Sequence, residues 1–174
     1  MNCVLQALPV SDSKRMKSEM SSWFTVVRAY QECNRRYSQM LAGFDLTVPQ
    51  FDVLNSISAL GDTATPKAIA ERLIVTRGNI TGVLHRLQDH SLIVTEQHNS
   101  DGRSFVCKLT KPGAELLAQA RQAAAIFIGQ QLAPFDDAHL AETERTMTRM
   151  FEHLQTIDPD EIIEKVLPRR KQRS

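Results

Sequence analysis

Thr65-Pro66-Lys67-Ala68-Ile69-Ala70-Glu71-Arg72-Leu73, then Ile74-Val75, then Thr76-Arg77-Gly78-Asn79-Ile80-Thr81-Gly82-Val83-Leu84-His85-Arg86-Leu87-Gln88-Asp89-His90 is the stretch that decides the fold. Thr65 is an N-cap residue with proline at the first helical position behind it. The short helix it starts buries Ile69 and Leu73. Thr76 is a second N-cap, and the pattern predicts a second helix from there to His90. Two helices joined by so short a turn make a helix-turn-helix. Downstream, Leu92–Gln97 reads as a strand. Phe105, Cys107 and Leu109 alternate with Val106 and Lys108, which predicts a half-buried second strand with the first three facing inward. Between them, residues 98–104 form a polar loop with the Asp101-Gly102 turn signal. A hairpin placed there is a wing, so a winged helix-turn-helix is expected between Thr65 and Thr110.

The flanks are helical. From Met16, apolar residues Met20, Phe24, Val27, Tyr30, Tyr37 and Leu41 recur at helical spacing until Gly43. Thr47 starts the next helix with Pro49 in its first turn, and Phe51, Val53, Leu54, Ile57 and Leu60 give its stripe before Gly61-Asp62. Thr110 caps a long helix starting near Pro112-Gly113 and ending before Pro134. Asp136 or Asp137 opens a last one, with Leu140, Met147, Phe151 and Leu154 on one face, until Asp158-Pro159 interrupts it. The expected fold is therefore mainly α with a small β-hairpin wing, flanked by N- and C-terminal dimerisation helices. The expected organisation is a leader over 1–17, a helical dimerisation region over 18–45 and 112–158, a winged helix-turn-helix over 46–111, and a C-terminal extension over 159–174. That extension ends in the basic tail Arg169-Arg170-Lys171-Gln172-Arg173, expected to be disordered.

The 174 residues are 42% hydrophobic and 24% charged, an ordinary globular composition. Net charge is only +1, but it is polarised. Residues 67–111 hold seven Lys/Arg against four acids, whereas 134–167 hold nine acids against three bases. A basic middle is the part suited to phosphates. Three cysteines at wide spacing, with no CxxC, predict a reducing cytoplasm. No segment has the length of a membrane span, and the N-terminus lacks a signal pattern.

On a helical wheel Ile80, Val83, Leu84 and Leu87 share an arc of roughly 100°. The opposite arc carries Arg77, Gly78, Asn79, Thr81, Gly82, His85, Arg86 and Asp89. Short and hydrogen-bonding residues there suit a DNA groove, and Gly78 and Gly82 would let backbone and DNA approach closely. Arg77 can pair bidentately with guanine, Asn79 with adenine, and Thr81 can meet a base edge or a thymine methyl. Thr76, Arg86 and the first amides of the helix suit phosphates. Arg103 at the wing tip suits a narrow minor groove, with Asp101 bracing its guanidinium.

Five phrases in order are similar to those of the MarR family of bacterial transcription regulators, over roughly Trp23 to Leu154. They are Leu46–Leu54, Ala68–Leu73, Val75–Leu87, Asp101-Gly102-Arg103-Ser104 and Leu109-Thr110-Lys111-Pro112-Gly113. The resemblance implies a homodimer with interlocked terminal helices, reading a pseudo-palindromic double-stranded DNA operator with two winged domains. It also implies repression, with release by a small ligand, often an aromatic acid, bound between the dimerisation and DNA-binding parts. Asp101 and Arg103 match the family's wing motif. By the same analogy Trp23, Phe24, Arg28 and Tyr30, with Arg35 nearby, could receive an aromatic carboxylate. Two alternatives stand beside this reading: oxidant sensing through Cys33, and a dimeric interaction module without DNA binding. His85, His90 and His98 have no carboxylate or thiol at ligand spacing, so neither metal nor cofactor is expected. No nucleophile–base pair or phosphate-cradling glycine loop points to an enzyme.

Overall fold

The computed structural model describes residues 14–97 and 105–167. The leader before Lys14, the wing tip with Asp101 and Arg103, and the tail from Pro168 lie outside the described residues. The elements are α1 (Lys14–Ala42), α2 (Val48–Leu60), a 3-10 turn (Gly61–Thr63), α3 (Pro66–Leu73), α4 (Arg77–Asp89), β1 (Ile93–Gln97), β2 (Phe105–Leu109), α5 (Lys111–Leu132), α6 (Asp137–Leu154) and α7 (Pro159–Val166). They divide into two compact units, one through Phe127 and one from Ile128.

Polar caps set most of these boundaries. Thr47 and Gln50 form a capping box: the Gln50 N–H donates to Thr47 Oγ1 at 3.4 Å, and the Thr47 N–H donates to Gln50 Oε1 at 2.9 Å. That exchange satisfies Gln50, which is buried. Thr65 Oγ1 accepts from the Ala68 N–H at 3.2 Å and opens α3. Asp136 and Asp158 accept from His139 and Asp160 N–H groups to start α6 and α7. The helix α6 already stops at Leu154, four residues before the Asp158-Pro159 pair expected to interrupt it, and that pair instead starts α7, in a segment the sequence pattern placed in the C-terminal extension without a helix.

In the first unit the core collects Leu41 of α1, Phe51, Val53, Leu54 and Ile57 of α2, Ile69 of α3, and Ile80, Leu84 and Leu87 of α4. Leu117, Ala120 and Ala124 of α5 join it. The Tyr37 ring stands edge-on to Phe51 at 6.1 Å and to Phe127 at 5.4 Å, so α1, α2 and α5 meet around one aromatic.

The hairpin is antiparallel, with Ile93 opposite Leu109 and Gln97 opposite Phe105. The expected alternation in β2 does not hold. Val106 and Cys107 are both buried and Phe105 is exposed. The cause is tertiary: β2 touches α2, α3 and the 3-10 turn, and the Cys107 N–H donates to Ala64 O at 2.9 Å, so mid-strand both faces are covered.

A tight junction follows the hairpin. The Thr110 N–H donates to Leu92 O at 3.1 Å, and Thr110 Oγ1 donates to Ser91 O at 2.8 Å. The same oxygen accepts from the Gly113 N–H at 3.1 Å, which starts α5 at Lys111. Gly113 lies directly against the Leu92 backbone, with no room for a Cβ.

In the second unit no residue is buried among those described. Met147, Met150, Phe151 and Leu154 of α6 and Ile162, Ile163 and Val166 of α7 are all exposed in the single chain. The α1 stripe behaves alike: only Leu41 is buried, while Tyr30 is 69% exposed.

Candidate nucleic-acid interface

The helix α4 splits as its wheel requires. Ile80, Val83, Leu84 and Leu87 are buried, and Gly78, Asn79, Thr81, Gly82, His85, Arg86 and Asp89 are exposed. Arg77 starts the helix, and its side chain lies outside the described residues. Six of the expected DNA-facing residues, Thr76, Gly78, Asn79, Thr81, Gly82 and Arg86, thus share one solvent face.

Among the described residues, no contact explains the two glycines on that face. A Cβ on Gly78 would meet only Thr76 Oγ1, at 4.0 Å, and one on Gly82 only Arg86 Nη2, at 3.7 Å. Both are ordinary contacts, and the second is the end of a long side chain. Each glycine nevertheless costs an exposed helix about 1 kcal/mol relative to alanine.

Thr76 differs from the other threonine caps. It has the extended backbone of an N-cap, with φ −74° and ψ 151°, but its side chain makes no cap hydrogen bond. Its hydroxyl is not committed to the helix start, as that of Thr65 is. Thr65→Ala should therefore cost about 1 kcal/mol, the usual value of a lost cap, and Thr76→Ala less than half of that. Equilibrium unfolding in urea measures both, and equal losses would contradict the distinction.

Arg86 lies back along the helix, its Nε donating to Gly82 O at 3.1 Å. Gln88 Nε2 donates to Thr95 Oγ1 at 3.2 Å and ties α4 to the wing. Lys108 of β2 sits 2.8 Å from Glu96 and 3.5 Å from Asp62, clamping the hairpin base to the 3-10 turn. Its bond to Glu96, foremost, holds its ammonium pKa above the ordinary lysine value.

The turn between α3 and α4 contains a feature the sequence pattern treated only as a connector. The Ile74 N–H donates to Glu71 O at 3.2 Å and the Val75 N–H to Ala70 O at 3.1 Å. This is a Schellman closure, whose first residue past the helix is usually glycine because it is left-handed. Here it is Ile74, at φ 55° and ψ 45°, where a side chain costs about 1–2 kcal/mol. Ile74 is 78% exposed and Val75 42%. Both line a concavity of about 710 Å³ together with Lys67, Ala70 and Glu71 of α3 and Asn79 of α4. No residue type in the sequence marks the site, because a left-handed position of this kind ordinarily takes glycine.

On α1 a second concavity, of about 700 Å³, includes Arg28, Glu32 and Arg35. Hydrogen bonds from Arg35 first, then Arg36, hold the Glu32 carboxyl down at about 2. Of the four residues expected to receive an aromatic acid, only Arg28 lines this hollow. Trp23 and Phe24 pair edge to face with each other at 5.0 Å, and Tyr30 points to solvent. Cys33 is half-buried, and Cys107 is fully buried, its thiol pushed up to about 11 by desolvation. Cys107 is thus a packing residue, far from thiolate chemistry. Among the described residues no His, Cys, Asp and Glu cluster could hold a metal, and no helix is long and apolar enough to cross a membrane.

The model of the MarR family matches residues 44–104, from the end of α1 into the wing. An HTH-type transcriptional regulator of Bacillus anthracis is 31% identical over 135 residues, 75% of this chain and 87% of that protein. Among solved structures, the MepR–DNA complex of S. aureus has a TM-score of 0.70 at 21% identity, covering 75% of this chain and 96% of that one. The organohalide sensing regulator RdhR in its 2,4-dichlorophenol bound form has a TM-score of 0.71 at 18% identity, covering 86% of this chain and 89% of that one. With a winged helix-turn-helix, a glycine-relieved polar face on its second helix and these likenesses, the chain belongs to the MarR family of DNA-binding transcriptional regulators.

Proposed function

We propose that the chain is a repressor that reads a pseudo-palindromic operator as a homodimer and is released by a small ligand. The exposed face of α4 is the recognition surface. Arg77, Asn79 and Thr81 meet base edges, Thr76 and Arg86 meet phosphates, and Gly78 and Gly82 admit the groove wall. Arg103 and Asp101 of the wing belong to the same surface on sequence grounds. The observation that carries the reading is that α4 gives up helix stability at two glycines that no contact among the described residues requires.

Residues 46–111 form the DNA-reading module and 18–45 with 112–158 the dimerisation region. The support is the uncovered apolar face of α1 and that of α6, each of which needs a partner surface. The residues 159–174 extend the second of these. The ligand class is a small aromatic acid or phenol, near Trp23, Phe24, Tyr30 and the cation of Arg28. The 2,4-dichlorophenol bound to the structural neighbour RdhR is of this class.

A mobility-shift titration on the DNA flanking the protein's own gene tests the operator reading. Sequence-specific binding should appear and weaken by about 10³-fold between about 50 and 200 mM salt, as for a dimer with six or more phosphate contacts. Binding without sequence preference at either salt would sink it.

A further inference from the structure

We infer that Ile74, backed by Val75, is a specificity residue that reads a thymine methyl at the edge of the operator groove. The inference rests on the reading of α4 as the recognition helix. Ile74 holds a left-handed backbone at φ 55° and keeps its side chain 78% in water. The Schellman hydrogen bonds around it come from the backbone, so glycine would make them equally well and without strain. Core packing does not account for the side chain, and helix capping does not need it.

Its position supplies the missing reason. Ile74 stands two residues before the N-cap of α4, and the N-terminal part of a recognition helix is what meets base edges. The apolar concavity it lines with Val75 and Ala70 is continuous with that surface through Thr76 and Asn79. On its far side Lys67 carries an ammonium, 3.7 Å from Glu71, at the start of α3 where a phosphate can be met. Among the four base pairs seen from the major groove, the one apolar group is the thymine 5-methyl. An aliphatic side chain held out at this edge therefore has one complementary feature in DNA, and Asn79 beside it can hydrogen-bond a neighbouring base.

The test uses the full chain and an operator defined by footprinting, with each thymine replaced singly by deoxyuridine, which removes only the methyl. In wild type, one thymine in each half-site should lose about fourfold in affinity on replacement, the value of one buried methyl. The Ile74→Gly protein should bind the thymine operator weaker by a similar factor and be indifferent to uracil at that position. Its thermal midpoint should be no lower than wild type, since glycine suits the left-handed site; Ile74→Asn, also tolerant of that backbone, serves as the second variant. If wild type is indifferent to uracil at every position, or the variants keep the wild-type uracil penalty, the inference is overturned while the operator reading stands. Absence of any operator preference in wild type removes both.

Discussion

Gly113→Ala should destabilise the protein by about 3 kcal/mol or more, the largest single-residue loss expected outside the hydrophobic core. A Cβ at this position would lie 1.9 Å from Leu92 O, 2.8 Å from Leu92 C and 3.2 Å from Leu92 Cα. All three are backbone atoms, so no rotamer change can clear them. Nor can the segment retreat. Leu92 O accepts from the Thr110 N–H, the Leu92 N–H donates to Leu87 O at 2.9 Å, and the neighbouring Ser91 sits at φ 56°. Helix propensity alone would favour alanine by about 1 kcal/mol, so the sign of the effect decides between local preference and tertiary contact. Urea titration followed by circular dichroism measures it. A midpoint equal to wild type would show that the junction yields.

Gly82→Leu should separate stability from function. The position is open to solvent, so leucine should raise stability by about 0.5–1 kcal/mol through helix propensity. The same side chain would project from the centre of the proposed recognition face into the space of the base edges. Operator affinity should fall by about 100-fold or more, roughly 2.7 kcal/mol. Fluorescence anisotropy with labelled operator and a thermal melt of the same sample give both quantities. A stable protein with undiminished affinity would mean that this face does not lie against DNA.

The sequence made legible what depends on local chemistry. Thr47, Thr65, Thr110 and Asp136 start helices because their side-chain oxygens accept backbone N–H groups, a bond readable from residue type and spacing. The inward face of α4 followed from period alone. Three features were not legible. The burial of Val106 beside Cys107 depends on elements from distant parts of the chain closing over β2. The start of α7 was hidden because Asp158-Pro159 signals an interruption and a cap equally well. The left-handed Ile74 defies the rule that such sites take glycine, and only the backbone geometry exposes it. For the site, the residue types on α4 could be chosen from sequence, but the hollow between α3 and α4 could not. It exists only once two helices and a strained turn are placed together.

The Thr110 junction also has a mechanical consequence. One hydroxyl joins the turn following α4, at Ser91, to the first turn of α5, so the end of α4 and the start of the long helix are pinned to each other. The helix α5 has 22 residues and is about 33 Å long. Its residues from Lys111 to Phe127 belong to the same compact unit as α4. A shift of the first turn of α5 is therefore passed directly to the turn after α4. The pinned hydroxyl leaves little slack to absorb such a shift.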